Sequence, residues 1–175
     1  RDLVRSRGLG DVYKRQAWCN CMKILVIDGQ GGGLGRQLVS ALKAAFPESE
    51  IIAVGTNALA TSAMLKAGAE HAATGENAVV VNCRKADIIV GASGIAIADS
   101  MYGEITPTMA LAVGQSSAKR IFVPVNLCDN YIAGVPEQSM SKLVESAVLV
   151  VRSIVQLHPY RLRIRQKPDE SAEAV

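Results

Sequence analysis

Five glycines stand within seven residues, Gly29, Gly31, Gly32, Gly33 and Gly35, in the string VIDGQGGGLG that covers 26–35. A stretch this poor in side chains stabilises neither a helix interior nor a strand, so it must be a connection. On one side Ile24 to Ile27 is a short apolar run bounded by turn residues, the pattern of a strand buried on both faces. On the other side Leu34, Leu38, Leu42 and Phe46 recur at helical spacing. Strand, glycine turn and helix form the first unit, and the rest of the chain must be compatible with it.

Pro47 stops the first helix, and Ile51 to Val54 makes a second apolar run far enough away for a βαβ crossover. Gly55, Thr56 and Asn57 then form a turn, with Thr56 or Asn57 as N-cap of a helix through Leu59, Ala63 and Met64 that ends at Gly68. Residues 70–74 fit a short third strand. For 76–86 the Val79, Val80, Val81 run favours β structure, whereas the need for another crossover favours a helix; we take helix. Ile88 to Val90 is a further buried run, ending in Gly91, Ala92, Ser93 and Gly94. Thr106 followed by Pro107 predicts a helix to about Val113, and Ile121 to Val125 a strand. Tyr131 to Ala133 is expected as an edge strand. Val144, Ala147, Val148, Val151, Ile154 and Val155 mark one face of a long last helix closed by His158 and Pro159. The expected fold is α/β, a single-domain Rossmann-like three-layer sandwich with a mostly parallel sheet over 22–158.

Composition agrees with that core: 49% of the residues are hydrophobic but only 4% aromatic, the balance of Val, Ile, Leu and Ala that buried parallel strands require. Residues 1–21 have no apolar period and no cap leading into the first strand. They are read as a non-native or disordered leader with Met22 as the native start, a flexible N-terminal arm being the alternative. Arg1, Arg5, Arg7, Lys14 and Arg15 against Asp2 and Asp11 account for the whole net charge of +3. The remaining body is neutral and lacks the basic stripe of a nucleic-acid binder. No apolar run reaches the ~18 residues of a membrane span, and nothing before Met22 resembles a signal core, so a cytoplasmic location without membrane contact is expected. Cys83 and Cys128 read as small buried hydrophobes, Cys128 with a reactive alternative, and His71 and His158 are isolated; no metal is expected. Residues 159–175 run from basic to acidic and are expected to be a disordered tail.

A glycine turn at the carboxyl edge of a parallel sheet presents unpaired amides and a positive helix end, the two features that favour a phosphate. The turn does not satisfy GxGxxG. It does satisfy GxxxGxG with Gly29, Gly33 and Gly35, and in this it resembles short-chain dehydrogenases and reductases. The catalytic pair of that family, a Tyr followed four residues later by Lys, has no counterpart, because Tyr102 leads to Thr106, Tyr131 to Val135 and Tyr160 to Ile164. Arg36 and Gln37 follow Gly35 where a P-loop would place Lys and a hydroxyl. Over a longer span VIDGQGGGLG, GTNALATSAMLKAGA, ATGENAVVVN and ADIIVG resemble an uncharacterised family of short bacterial proteins that open with DGQGGGIG or DGQGGGLG. That resemblance runs from Met22 to about Val155 and implies no established activity.

If the strands are parallel, one rim gathers the candidate ligand residues: Asp28, Gly29, Gln30, Gly31, Gly32, Gly33, Leu34 and Gly35, then Gly55, Thr56 and Asn57, then Gly91 and Ser93, then Asn126. Each taken alone is also an ordinary turn or cap residue. No acid directly follows the second strand to hold an adenosine ribose, so Thr56 and Asn57 are available to a 2′-phosphate, which places NADP ahead of NAD. The expected function is nucleotide or dinucleotide binding with the phosphate on Gly31 to Gly35. Two alternatives stand beside it: an enzyme acting on a small phosphorylated or carboxylated metabolite with Asp28 as acid or base, and a non-catalytic interaction subunit. A homo-oligomer is compatible with any of them. Gly33 is expected to need either a positive φ or close approach to a phosphate, so a Val there should strain the backbone or block the ligand.

Overall fold

The computed structural model describes residues 22–125 and 132–157. The first strand, β1 (Lys23–Asp28), is buried along almost its whole length because it lies in the middle of the sheet. It runs through the glycine turn into α1 (Gly33–Ala45), whose Leu34, Leu38, Val39 and Leu42 form the buried stripe. The helix stops short of Pro47, leaving Phe46 as a half-buried C-cap. β2 (Glu50–Gly55) follows, then α2 (Ala58–Lys66) and β3 (His71–Thr74). The segment of ambiguous propensity is the helix α3 (Glu76–Cys83). Its three valines accept helical geometry because the chain must cross from β3 to the far side of β1, and tertiary demand overrides a weak local preference.

β4 (Ile88–Ala92) is fully buried and leads into a single 3-10 turn at Ser93–Ala96. After an irregular stretch comes α4 (Pro107–Gln115), where the Thr106 hydroxyl accepts from the Met109 amide at 3.2 Å as its N-cap. β5 (Lys119–Val123) begins two residues before the apolar run and ends at Pro124, which has no amide to give to a ladder. The last helix, α5 (Met140–Leu157), buries Leu143, Val144, Ala147 and Val151. The edge strand expected at Tyr131–Ala133 is not formed where it is described: Ile132 is irregular and Ala133 lies in a turn with Gly134. Tyr131 itself, Cys128, His158, Pro159, the leader and the tail lie outside the described residues.

Among the described residues the sheet has five strands, all parallel, in the order β3-β2-β1-β4-β5. α1 packs against α2 and α5, and α3 against α4, so helices cover both faces of the sheet. This is the Rossmann-like α/β sandwich. Strand order reverses about β1: the chain goes outward to β2 and β3, then crosses back to β4. Between the carboxyl ends of β1 and β4 the following connections diverge, which leaves a crevice at the place where open α/β sheets bind ligands. No helix among the described residues is long and apolar enough to cross a membrane.

Candidate functional site

The parallel register brings the sequence candidates to one rim. Asp28 is paired with Gly55, and Ile27 with Gly91, so the turns after β1, β2 and β4 are neighbours. A cleft of about 310 Å³ opens there, lined by the turn residues Asp28, Gly29, Gln30, Gly31 and Gly33, with Met101 and Met140 among its apolar walls.

The glycines of the turn do different things. Gly32 stands at the N-cap of α1 with φ +68°, and a Cβ on it would lie 2.7 Å from Ala60 Cα. Gly35 lets α1 press onto β1 and α2, since a Cβ there would fall within 2.6 Å of Asp28 Cβ and Met64 Sδ. Gly55 and Gly91 are likewise packing residues, the first against Thr61 and the second against Ile27 and Ile95, and neither lines the cleft. Gly31 and Gly33 are exposed, have no positive φ, and have nothing within 4 Å of the place a Cβ would occupy. The backbone strain expected of a side chain at Gly33 is therefore corrected: the fold makes no demand for glycine there.

Amides at the start of a helix lack intrahelical partners. In α1 the Gly35 amide donates to Asp28 Oδ2 at 2.5 Å, and the Arg36 amide to the Gly32 carbonyl at 3.0 Å. Among the described residues nothing accepts from the amides of Gly31, Gly33 or Leu34. Asp28 is 5% exposed. Burial pushes its carboxyl above the ordinary carboxylate range against the pull of the Gly35 and Gly29 amides, and the nearby charge of Glu104 pushes the same way.

Thr56 and Asn57 stand beside the turn, but their polar groups face Glu104. The Gln30 amide donates to Glu104 Oε2 at 2.7 Å, Asn57 Nδ2 donates to it at 3.1 Å, and the Thr56 hydroxyl completes the set. Burial opposes ionisation of Glu104, and these three donors overcome it, holding the carboxyl below the ordinary range. Asn57 Oδ1 also accepts from Ala60, so Asn57, rather than Thr56, is the N-cap of α2. Ser93 lies in the turn after β4 and does not line the cleft, whereas its neighbours Ala92 and Gly94 do. Asn126 lies outside the described residues.

Glu104 is the residue sequence reasoning missed. It arrives on the connection from β4 to α4, which reaches over the ends of β1 and β2. Asp99, Met101 and Tyr102 in that connection are left-handed non-glycine residues, with φ of 62°, 58° and 58°. Each costs of order 1 kcal/mol or more. The loop holds them by its anchors: Ser100 Oγ donates to the Gly94 carbonyl at 2.6 Å, the Asp99 amide to Ile105 O at 2.8 Å, and Ile105 is fully buried. Tyr102, at the tip, is 95% exposed. A signal existed in the sequence, namely an irregular connection of more than ten residues leaving a central strand at the ligand-bearing rim.

Cys83 is buried beneath α4, and burial pushes its thiol up to about 11. Among the described residues no group of three or more His, Cys, Asp or Glu could hold a metal ion.

Comparison with curated proteins gives no match. The family model described as a domain of unknown function, DUF3842, matches residues 23–156. That span takes in every strand and helix described above up to the last residue but one of α5, and the chain belongs to this family.

Proposed function

We propose that this protein binds a nucleotide or dinucleotide in the cleft between β1 and β4, with a phosphate on the amides of Gly31, Gly33 and Leu34. One observation carries the reading. Gly31 and Gly33 are glycines that the fold does not need, they line the cleft, and their amides have no partner among the described residues. A missing Cβ is of use there to something approaching from outside, and unpaired amides at a helix start attract an oxyanion. The volume sits at the lower end of the ~300–1,000 Å³ usual for ligand pockets, which suits the phosphate and part of a nucleoside. NADP and NAD both carry the required diphosphate.

Gly33→Val is the clean test, because its side chain enters empty space. Folding stability should stay within about 0.5 kcal/mol of the parent, as for substitutions away from packed features. Any thermal shift given by saturating NADP, NAD or a mononucleotide should disappear, since a ligand that binds only the native state raises its stability. Unchanged affinity in Gly33→Val would remove the glycine turn from the binding site.

Asp28 favours a second reading, an enzyme acting on a small phosphorylated or carboxylated metabolite. A buried carboxyl with a raised pKa in a ligand-sized cleft is suited to hold or deliver a proton beside a bound phosphate or carboxylate. Turnover of such a metabolite that is lost in Asp28→Asn while binding persists would support this second reading.

A further inference from the structure

The Gln30 amide, the Thr56 hydroxyl and the Asn57 side-chain amide come from two separate turns and converge on one oxygen, Glu104 Oε2. A donor set that gathers on one oxyanion is complementary to oxyanions in general. It also adjoins the proposed phosphate site, since Gln30 directly precedes Gly31 and lines the same cleft. Glu104 is held there by a loop whose tip is left-handed at Met101 and Tyr102 and whose Tyr102 ring is exposed. The loop has its own anchors in Ser100, Ile105 and the Asp99–Ile105 backbone bond, so the carboxylate can leave its donors without the base of the loop opening.

Building on the phosphate reading above, we propose that these donors form a second phosphate subsite and that Glu104 is its built-in occupant, a competitor which a ligand's own phosphate displaces. The ligand class follows: a molecule with two phosphate groups, one on the Gly31, Gly33 and Leu34 amides and one on Gln30, Thr56 and Asn57. The second group is either the other half of a diphosphate or the 2′-phosphate of an NADP-like molecule. While Glu104 stays in place its charge lies close to Asp28 and opposes a further anion. Its departure removes that repulsion and frees three donors together.

The test measures binding of inorganic pyrophosphate to the full chain by calorimetry at pH 8, for the parent, Glu104→Gln, Glu104→Ala and Gly33→Val. Glu104→Gln keeps the shape of the side chain and removes the charge, so it should fold and bind pyrophosphate, NADP or both at least tenfold more tightly than the parent. Glu104→Ala should gain at least as much. The same variants with NADP and NAD locate the second phosphate: a gain for NADP alone assigns the subsite to the 2′-phosphate, and an equal gain assigns it to the diphosphate. Equal or weaker binding of both pyrophosphate and NADP in both Glu104 variants, with binding still lost in Gly33→Val, would overturn the competitor role and keep the phosphate site. Absence of binding to the parent and to every variant would overturn both readings.

Discussion

Two strand-to-helix turns stand side by side on the rim of this sheet and satisfy the same amides of their helices with different groups. After β2, Asn57 has an extended backbone, its side-chain oxygen accepts from the Ala60 amide at 2.9 Å, and its carbonyl accepts from the Thr61 amide at 3.1 Å. The two amides ahead of these, of Ala58 and Leu59, have no acceptor among the described residues, but both residues carry side chains and neither lines the cleft. After β1, the capping position is the left-handed Gly32, which has no side chain to offer. Asp28 reaches forward to the equivalent amide, that of Gly35, and the amides of Gly33 and Leu34 are left without acceptors among the described residues, as those of Ala58 and Leu59 are. A neutral cap on α1 would be worth about 1 kcal/mol. What separates the two turns is access: Gly31 and Gly33 line the cleft with no Cβ in the way, whereas Ala58 and Leu59 do not line it.

The sharpest way to break this comparison lies inside the first turn. Gly35→Val would drive side-chain atoms into Asp28 and Met64, where even a Cβ comes within 2.6 Å. Overpacking of this kind costs roughly 1–3 kcal/mol, and here the neighbours include the buried Asp28. Urea unfolding should show that loss for Gly35→Val, with Gly33→Val close to the parent. Equal losses at the two positions would mean that the turn is a single packing unit and that its glycines do not divide into structural and open ones.

The second turn provides the next test. Asn57→Ala removes the cap on Ala60, one of the donors that hold Glu104 and the 2.9 Å bond from its side-chain amide to the Gln30 carbonyl, so a loss of about 1 kcal/mol is expected in urea unfolding. Amide exchange should report the coupling: the Gln30 amide, now bonded to Glu104, should exchange faster in Asn57→Ala even though Gln30 is not the residue replaced. If Gln30 keeps its protection, the Gln30–Glu104 bond does not depend on Asn57.

These particulars also show where the sequence was legible. Buried apolar runs at Ile24–Ile27, Ile51–Val54 and Ile88–Val90 gave the three inner strands, because a strand covered on both faces has no room for polar residues. Thr106–Pro107 marked its helix start by local chemistry, a hydroxyl acceptor followed by a residue with no amide to satisfy. At 76–86 local preference pointed toward β and only the topology chose helix. The candidate site divided in the same manner. Asp28 and the turn glycines were readable because glycine spacing is a local signal. Glu104 was not, since its partners Gln30 and Thr56 lie 74 and 48 residues away and only the strand order brings them together. The positive φ weighed for Gly33 is absent because backbone angles in a glycine run depend on which neighbours the helix start meets, and those are tertiary.

The smallest expected effect concerns the charge that stands in for the missing cap. Asp28→Asn turns the charged link to Gly35 into a neutral one of the kind that Asn57 makes in the second turn. Burial raises the Asp28 carboxyl in the folded protein above its ordinary value of 3.8, so the folded state holds the proton more firmly than the unfolded chain does. The stability this contributes is complete below that ordinary value and is lost as pH rises through the raised one. Glu104 runs the other way: its carboxyl is lowered in the folded state, so its contribution is present above 4.5 and fades as pH falls through the lowered value. Because Glu104 is retained in both proteins, its effect largely cancels in the difference between them. Relative to the parent, Asp28→Asn should therefore gain stability as pH is raised from 4 to 8, a gain kept small because lost charge-assisted bonds to Gly35 and Gly29 offset part of the relief from burying a charge. Melting temperatures of both proteins across that range give the difference directly. A difference that does not change with pH would mean that the Asp28 carboxylate is as well accommodated as the Asn57 amide, and the contrast between a charged makeshift and a neutral cap would then be one of geometry alone.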